Sequence, residues 1–139
     1  MSDSPAADTP AEKEGMKRIL IVDDEATFTR MVRMNLEQTG RFEVREENKA
    51  ANAIATAKEF NPDLILLDVI MPAMDGGELA SLMKTDPELS QIPIVFLTAT
   101  VSKNEDQNDG FTSGGFIFLA KPVSLESLLK VIDDSLAKG

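Results

Sequence analysis

Five polar residues stand directly after short apolar runs of the sequence, where a fold could hold their side chains together for chemistry. They are Asp23, Asp24, Asp68, Thr98 and Lys121. The runs before them are KRILIV (17–22), DLILL (63–67), IPIVFL (92–97) and FIFLA (116–120). In a parallel sheet the carboxyl ends of the strands lie along one edge, where open α/β folds bind their ligands. Three carboxylates, a hydroxyl and an ammonium group at that edge indicate phosphoryl transfer with a divalent cation.

The composition limits the kind of site that the chain can build. The sequence contains no cysteine and no histidine, which excludes disulfides, thiolate nucleophiles, zinc–thiolate sites and imidazole bases. A metal ion would therefore be held by oxygen atoms, and oxygen ligands favour hard cations such as Mg²⁺. The net charge of −10, from 14 basic and 24 acidic residues, argues against nucleic acid as a direct partner.

The length of 139 residues suffices for one domain with a substantial core. Residues 1–15 are rich in Ser, Ala, Pro, Asp and Glu and cannot bury enough apolar surface to become ordered. We therefore expect a disordered acidic tail at 1–15 and one domain at 16–139. The sequence has neither an apolar run long enough to span a membrane nor a signal-peptide core, so we expect a cytoplasmic protein without a membrane partner.

Apolar residues at helical spacing occur between the apolar runs, which predicts five strands alternating with five helices. The second helix is expected at about 49–60, with Ala51, Ile54 and Ala55 on its inner face. The fourth helix, over 101–115, has few large apolar residues and several Asn, Asp, Ser and Gly, so we expect it to be short or mobile. The predicted helix ends include Gly40, Asp75 and Ser124. Alternating strands and helices joined by right-handed crossovers form a doubly wound α/β fold.

Taken together, the motifs resemble the receiver domain of two-component response regulators, and the similarity covers residues 16–139. The motifs are a double acid after the first strand, an Asp after the third strand followed by MPAMDG (71–76), a Thr after the fourth strand and Lys-Pro (121–122) after the fifth. Each motif alone is weak evidence, whereas their joint order and spacing are specific. The resemblance is to single-domain regulators of the chemotaxis type. It implies a flavodoxin-like, five-stranded parallel sheet of strand order 2-1-3-4-5 with helices on both faces.

The resemblance also implies a role for each acidic residue. Asp68 matches the phosphoacceptor, and a carboxylate can act as a nucleophile toward phosphorus and form an acyl phosphate. Asp23 and Asp24 match the acidic pair that holds Mg²⁺, together with Asp68 and the backbone carbonyl of Ile70. A cation would relieve the crowding of these carboxylates, because two unit charges about 4 Å apart interact with roughly 4 kcal/mol near a protein surface.

Three further residues match positions that respond to the phosphoryl group in the family. Lys121 matches the lysine that contacts the phosphoryl group, and Thr98 matches the hydroxyl that hydrogen-bonds to it. Phe118 falls where the family carries an aromatic residue that changes rotamer, so Thr98 and Phe118 together would form the switch. A phenylalanine keeps the packing part of that switch but lacks the hydrogen bond of a tyrosine. A plain core role is the alternative for Phe118.

The resemblance therefore implies a response regulator that takes a phosphoryl group from a sensor histidine kinase or a histidine phosphotransfer protein onto Asp68, with Mg²⁺ as cofactor. Since no effector domain follows in this sequence, we expect its output to be a phosphorylation-dependent contact with a downstream protein, whose identity the sequence does not reveal. A second possible output is a dimer of this chain that forms on phosphorylation. We expect no enzymatic activity beyond phosphorylation and dephosphorylation of the chain itself.

Two alternatives stay open beside this interpretation. One is a receiver-like binding module that is never phosphorylated, which the full set of strand-end residues disfavours. The other is an aspartyl-nucleophile phosphatase. Such an enzyme places a second Asp two residues after the nucleophile, where this sequence has Ile70, and it carries a substrate-capping insertion that is not found here.

Overall fold

The computed structural model describes residues 16–69, 71, 75–98, 111–113, 116–121 and 123–138, which form one sheet with helices on both faces. The strands are β1 (Lys17–Val22), β2 (Phe42–Glu47), β3 (Leu64–Asp68), β4 (Ile94–Thr98), β5 (Phe111–Ser113) and β6 (Phe116–Ala120). The helices are α1 (Ala26–Gln38), α2 (Ala53–Phe60), α3 (Gly76–Lys84) and α4 (Leu125–Lys138), and a 3₁₀ turn at Ala50–Asn52 precedes α2.

The strands lie in the order β2-β1-β3-β4-β6-β5, and every neighbouring pair runs parallel except β6 and β5. The first five strands of this order are the predicted ones, so the predicted parallel sheet of order 2-1-3-4-5 is confirmed. All residues of β3 and β4 are buried, as expected for central strands that are apolar on both faces. These two strands therefore carry their last residues, Asp68 and Thr98, to the middle of the sheet edge.

Each face of the sheet has its own apolar layer. On one face, α2 and α3 pack through Ala53, Ala57, Phe60, Leu79, Ala80 and Met83. On the other face, α1 and α4 pack through Val32, Leu36, Leu128, Val131 and Ile132. Successive residues of a strand point to opposite faces, so Leu64 and Leu66 belong to the second layer while Ile65 and Leu67 belong to the first. The prediction of helices on both faces is confirmed.

The short strand β5 corrects the prediction of a fourth helix over 101–115. Residues 111–113 pair antiparallel with β6, with Ser113 opposite Phe116, and add a sixth strand to the predicted five. The two residues between these strands are Gly114 and Gly115, a dipeptide favoured in two-residue hairpins. Residues 101–110 and 114–115, the rest of the predicted helix, lie outside the described part of the chain.

The inner face of α2 also differs from its prediction. Ala51 and Ala55 are exposed, whereas Ala53, Ala57 and Phe60 are buried. Ile54 is partly buried against the layer of α2 and α3, as predicted, but the buried stripe begins one residue earlier than predicted and consists of Ala50, Ala53, Ala57 and Phe60. The predicted stop is confirmed, because Asn61 has a left-handed φ of 55° and its N–H bonds the carbonyl of Ala57.

The other helix ends follow their sequence signals. Gly40 follows the end of α1 with a φ of 78°, which glycine adopts without a Cβ clash. Asp75 caps α3 by accepting a hydrogen bond of 2.9 Å from the Gly77 N–H. Ser124 caps α4, because its Oγ accepts from the Ser127 N–H at 3.0 Å. These three predictions are confirmed.

Among the described residues, no helix is both long enough and apolar enough to cross a membrane. The predicted tail at 1–15 and the backbone carbonyl of Ile70 lie outside the described residues.

Candidate functional site

The strand ends meet at one edge of the sheet, as the sequence predicted. Asp68 pairs in register with Leu97, one residue before Thr98, and Thr98 pairs with Ala120, one residue before Lys121. The ladder continues past the last strand residues, because the Lys121 N–H donates to the Thr98 carbonyl at 2.9 Å. The structure therefore brings Asp68, Thr98 and Lys121 to neighbouring positions along this edge.

The three predicted acidic residues form one cluster. Carboxylate oxygens of Asp23, Asp24 and Asp68 all lie within 4.8 Å of one another. Asp23 is 0 % exposed and Asp68 is 6 % exposed, whereas Asp24 faces the solvent. Two carboxylates of the cluster are therefore buried, and the third, that of Asp24, is accessible to solvent.

A glycine lets α3 begin directly against the backbone that carries Asp68. The Gly76 N–H bonds the Val69 carbonyl at 2.8 Å. A Cβ at residue 76 would lie 2.2 Å from the Asp68 carbonyl oxygen and 2.9 Å from the Val69 Cα. These are backbone atoms that cannot move aside cheaply, so the glycine that ends the motif MPAMDG lets α3 start against the segment after β3.

Lys121 supplies the positive charge of the site. Its Nζ lies 2.6 Å from Asp23 Oδ2 and 3.5 Å from Asp68 Oδ1. Burial disfavours the charged ammonium, but the hydrogen bond and charge of Asp23, together with the charges of Asp68 and Glu25, outweigh it and raise the pKa of Lys121. The side chain is therefore a fixed cation that faces two buried carboxylates.

Asp68 is the less compensated of the two buried acids. Burial raises its pKa most, the negative charge of Asp23 raises it further, and Lys121 lowers it only in part. The resulting pKa of Asp68 is about 6, against an ordinary value of 3.8. A carboxylate at such a pKa is mostly ionised at neutral pH but poorly stabilised, a state often found at reactive positions.

Two contacts of Lys121 were not predicted from the sequence. The Glu25 carboxylate lies 3.7 Å from Nζ. The ring of Phe28 lies below the ammonium, with 4.6 Å between Nζ and the ring centroid. Phe28 lies on α1 and is partly buried against the layer of α1 and α4. No sequence signal marks an aromatic ring as the neighbour of a lysine so far along the chain.

The two predicted switch residues lie on the β4 and β6 side of the site. Thr98 is the last residue of β4 and is 7 % exposed. Phe118 is partly buried and stacks on its register partner Phe96, with ring centroids 5.1 Å apart. Both rings line a cavity of about 470 Å³ beside α3. Their role as a switch stays a prediction.

The donor set fits the predicted Mg²⁺. Three carboxylates offer hard oxygen ligands, and the solvent-facing side at Asp24 leaves room for the waters that Mg²⁺ keeps. Asp23, Asp24 and Asp68 are thus the residues that would hold the ion. A lysine beside three acids leaves a net negative site, which a divalent cation would neutralise.

Comparison with known proteins agrees with this arrangement. A family model described as "Response regulator receiver domain" matches residues 19–133. Protein PilH of Pseudomonas aeruginosa is 36 % identical over 88 % of this chain and 99 % of PilH. The transcriptional regulator RpaA of Synechocystis is 35 % identical over 82 % of this chain, and PhoB of P. aeruginosa is 40 % identical over 81 %. The chain spans about half the length of these last two relatives, 46 % of RpaA and 48 % of PhoB.

Solved structures show the same fold. The chemotaxis protein CheY4 of Vibrio cholerae superposes with a TM-score of 0.73 at 32 % identity, covering 86 % of this chain and 98 % of CheY4. A response regulator from Desulfuromonas acetoxidans superposes with a TM-score of 0.72 at 29 % identity, covering 88 % of this chain and 98 % of that protein. The match of the family model over most of the chain and the near-complete alignment with PilH show that this protein belongs to the response regulator receiver domain family of two-component signalling systems.

Proposed function

We propose that this chain accepts a phosphoryl group on Asp68 from the phosphohistidine of a sensor kinase or a histidine phosphotransfer protein. The observation that carries the proposal is the position of Asp68, which is buried among acids, lies next to the charge of Lys121 and has a pKa raised to about 6. A carboxylate so poorly stabilised has more to gain from bonding to phosphorus than a solvated one has. The exposed side of the cluster at Asp24 gives the donor access to it.

In the proposed step, a carboxylate oxygen of Asp68 attacks phosphorus and forms a new P–O bond. The P–N bond of the donor breaks, its electron pair stays on the imidazole nitrogen, and that nitrogen takes a proton from solvent. Bound Mg²⁺, held by Asp23, Asp24 and Asp68, would supply positive charge against the charge of the incoming phosphoryl oxygens. The product on the chain is an acyl phosphate.

Lys121 and Thr98 would read out this product. The Lys121 ammonium already lies 3.5 Å from an Asp68 oxygen, so a small movement brings it to a phosphoryl oxygen. The Thr98 hydroxyl, one strand over from Asp68, would donate a second hydrogen bond. Hydrogen bonds to a charged group contribute about 1.5–3 kcal/mol each, and two of them approach the roughly 5.5 kcal/mol that a full population shift needs. Phe118 would then repack beside Phe96, and the altered surface would contact a downstream protein or a second copy of the chain.

The proposal is tested by incubating the protein with phosphoramidate and Mg²⁺ and measuring its intact mass. We expect one phosphoryl adduct in the wild type, none in Asp68→Asn, and the wild-type result in Asp134→Asn, which changes an exposed aspartate far from the site in sequence. The wild type without an adduct would contradict the proposal and support an unphosphorylated binding module. Sustained phosphate release from unrelated phosphate esters would contradict it in favour of a phosphatase.

A further inference from the structure

A side-chain amide lies directly behind the acidic pair. Asn48 follows the last residue of β2, and its Nδ2 donates to the backbone carbonyl of Asp23 at 2.8 Å. The same Nδ2 lies 3.0 Å from the hydroxyl of Thr29 on α1. Because a carbonyl oxygen only accepts, the NH₂ group of Asn48 must face it, and its two hydrogens serve Asp23 and Thr29.

The side-chain amide of Asn48 is supported by further hydrogen bonds on the side away from the acids, through Thr29 and Glu46. Thr29 is 0 % exposed, and its Oγ1 lies 2.7 Å from Glu46 Oε1, to which it can donate while accepting from Asn48. Arg33 Nη1 in turn contacts Glu46 Oε2 at 3.4 Å. The chain of contacts therefore runs from the surface of α1, through the buried Thr29 hydroxyl, to the backbone beside the site.

The carbonyl that Asn48 binds belongs to the peptide that joins Asp23 to Asp24. A peptide group is planar, so holding its oxygen sets the direction from which the Asp24 Cα leaves it. The Asp23 N–H is anchored by the Glu47 carbonyl at 3.1 Å, and Asp23 Oδ1 accepts from the Glu25 N–H at 2.9 Å. Asp24 is exposed, so the direction in which this peptide presents the residue contributes to keeping its carboxylate near those of Asp23 and Asp68.

We propose that Asn48 is a positioning residue of the cation site, which holds the Asp23–Asp24 peptide so that both carboxylates face the same ion. The inference deepens the proposed function and rests on it, since it assumes that the three aspartates bind Mg²⁺. Asn48 itself does not touch the ion or the phosphoryl group. It acts through the acids, as groups behind metal ligands commonly do.

The first test is Mg²⁺ binding to the unphosphorylated protein by isothermal titration calorimetry. We expect Asn48→Ala to weaken Mg²⁺ binding about 10-fold, the lower end of the effect of removing such a supporting group. Asn52→Ala is the matched control, because Asn52 is an exposed asparagine four residues further on and the change is the same. Thr29→Val should weaken binding less than Asn48→Ala does, and Thr29→Ser, which keeps the hydroxyl, should bind as the wild type does.

The second test separates positioning from a general loss of structure. If Asn48 acts through the acids, Asn48→Ala will need more Mg²⁺ for half-maximal phosphorylation by phosphoramidate but will reach the wild-type rate at saturating Mg²⁺. Equal Mg²⁺ affinity in Asn48→Ala and wild type overturns the inference, as does a rate that extra Mg²⁺ does not restore. If Asn48→Ala does not fold, as judged by circular dichroism, Thr29→Val carries the same test. A wild type that binds no Mg²⁺ would instead overturn the proposed function itself.

Discussion

Asp23 at the end of β1 and Asp68 at the end of β3 are aspartates of adjacent strands, nearly equal in burial, but they are compensated very differently. Asp23 Oδ2 lies 2.6 Å from Lys121 Nζ, and its Oδ1 accepts a backbone hydrogen bond from Glu25. Asp68 Oδ1 lies 3.5 Å from the same ammonium, and its pKa is raised to about 6. One lysine thus stabilises the first carboxylate well and the second only in part.

The comparison shows that burial alone does not select the reactive group. Both carboxylates are buried, but Asp23 has the nearer cation, 2.6 Å away, and an N–H donor, so less of its desolvation cost is left uncompensated. Asp68 keeps more of its desolvation cost, and the charge of Asp23 adds to it. Under the proposed function, the less compensated Asp68 is the nucleophile, and Asp23 contributes its charge to the cation site.

The largest expected difference between the two aspartates is in phosphoryl transfer. Asp68→Asn should lower the rate of adduct formation by about three orders of magnitude or more, because an amide is not a competent nucleophile. Asp23→Asn should slow the reaction at low Mg²⁺ but still form the adduct as Mg²⁺ is raised, since Asp68 is intact. Time-resolved intact mass at several Mg²⁺ concentrations measures both. Adduct formation in Asp68→Asn at a rate near that of the wild type, or its complete absence in Asp23→Asn at all Mg²⁺ concentrations, would contradict the division of roles.

The second largest effect should come from removing the cation that the two aspartates share. Lys121→Met leaves the fully buried Asp23 without its charged partner, and breaking a buried pair in this way costs about 3 kcal/mol. Urea unfolding followed by circular dichroism, without Mg²⁺, should show this loss. Lys130→Met, which changes an exposed lysine of α4, should lower stability by well under 1 kcal/mol. Equal effects of the two substitutions would mean that Lys121 does not compensate Asp23.

These strand-end residues could be predicted from the sequence because each follows an apolar run, and a parallel sheet brings such positions together whatever the side-chain details. The inner face of α2 could not, because alanines lie on both its buried face (Ala53, Ala57) and its exposed face (Ala51, Ala55), so the apolar pattern does not distinguish the two. The three-residue strand β5 is too short for a periodic pattern to reveal. The roles of Phe28 and Asn48 depend on where a lysine and a backbone carbonyl lie in space, which no local pattern encodes.

The third-largest expected effect is a higher free energy of unfolding of Asp68→Asn than of the wild type, and this difference depends on pH. The native pKa of Asp68, about 6, exceeds its ordinary value of 3.8, so the folded chain binds this proton more tightly than the unfolded chain does. The wild type therefore loses stability as pH rises from about 4 to above 6, whereas Asp68→Asn does not lose this contribution. Without Mg²⁺, Asp68→Asn should be more stable than wild type by about 1–2 kcal/mol at pH 7.5, allowing for solvent screening.

The stability difference between Asp68→Asn and the wild type should shrink toward zero at pH 4, where Asp68 of the folded wild type is protonated and therefore uncharged, like the asparagine. Urea unfolding of both proteins across this pH range measures it, and subtracting the two curves removes the other carboxylates, which both proteins share. Saturating Mg²⁺ at pH 7.5 should reduce or reverse the difference, because the ion stabilises only the chain that keeps all three acids. A pH-independent difference would show that Asp68 is no less compensated than Asp23.

The smallest effect concerns the ring that lies beneath the shared cation. Phe28→Leu keeps an apolar side chain against the layer of α1 and α4 but removes the aromatic face, 4.6 Å from Lys121 Nζ. A cation–π contact of this kind contributes about 0.5–1 kcal/mol at a partly exposed position. The packing change alone could cost as much, so the single variant does not decide the cause. A double-mutant cycle with Lys121→Met does, because the cation–π part of the loss disappears once the ammonium is gone. An equal cost of Phe28→Leu in both backgrounds would assign the ring to packing, and would leave the carboxylates of Asp23, Asp68 and Glu25 as the groups that hold Lys121 in place.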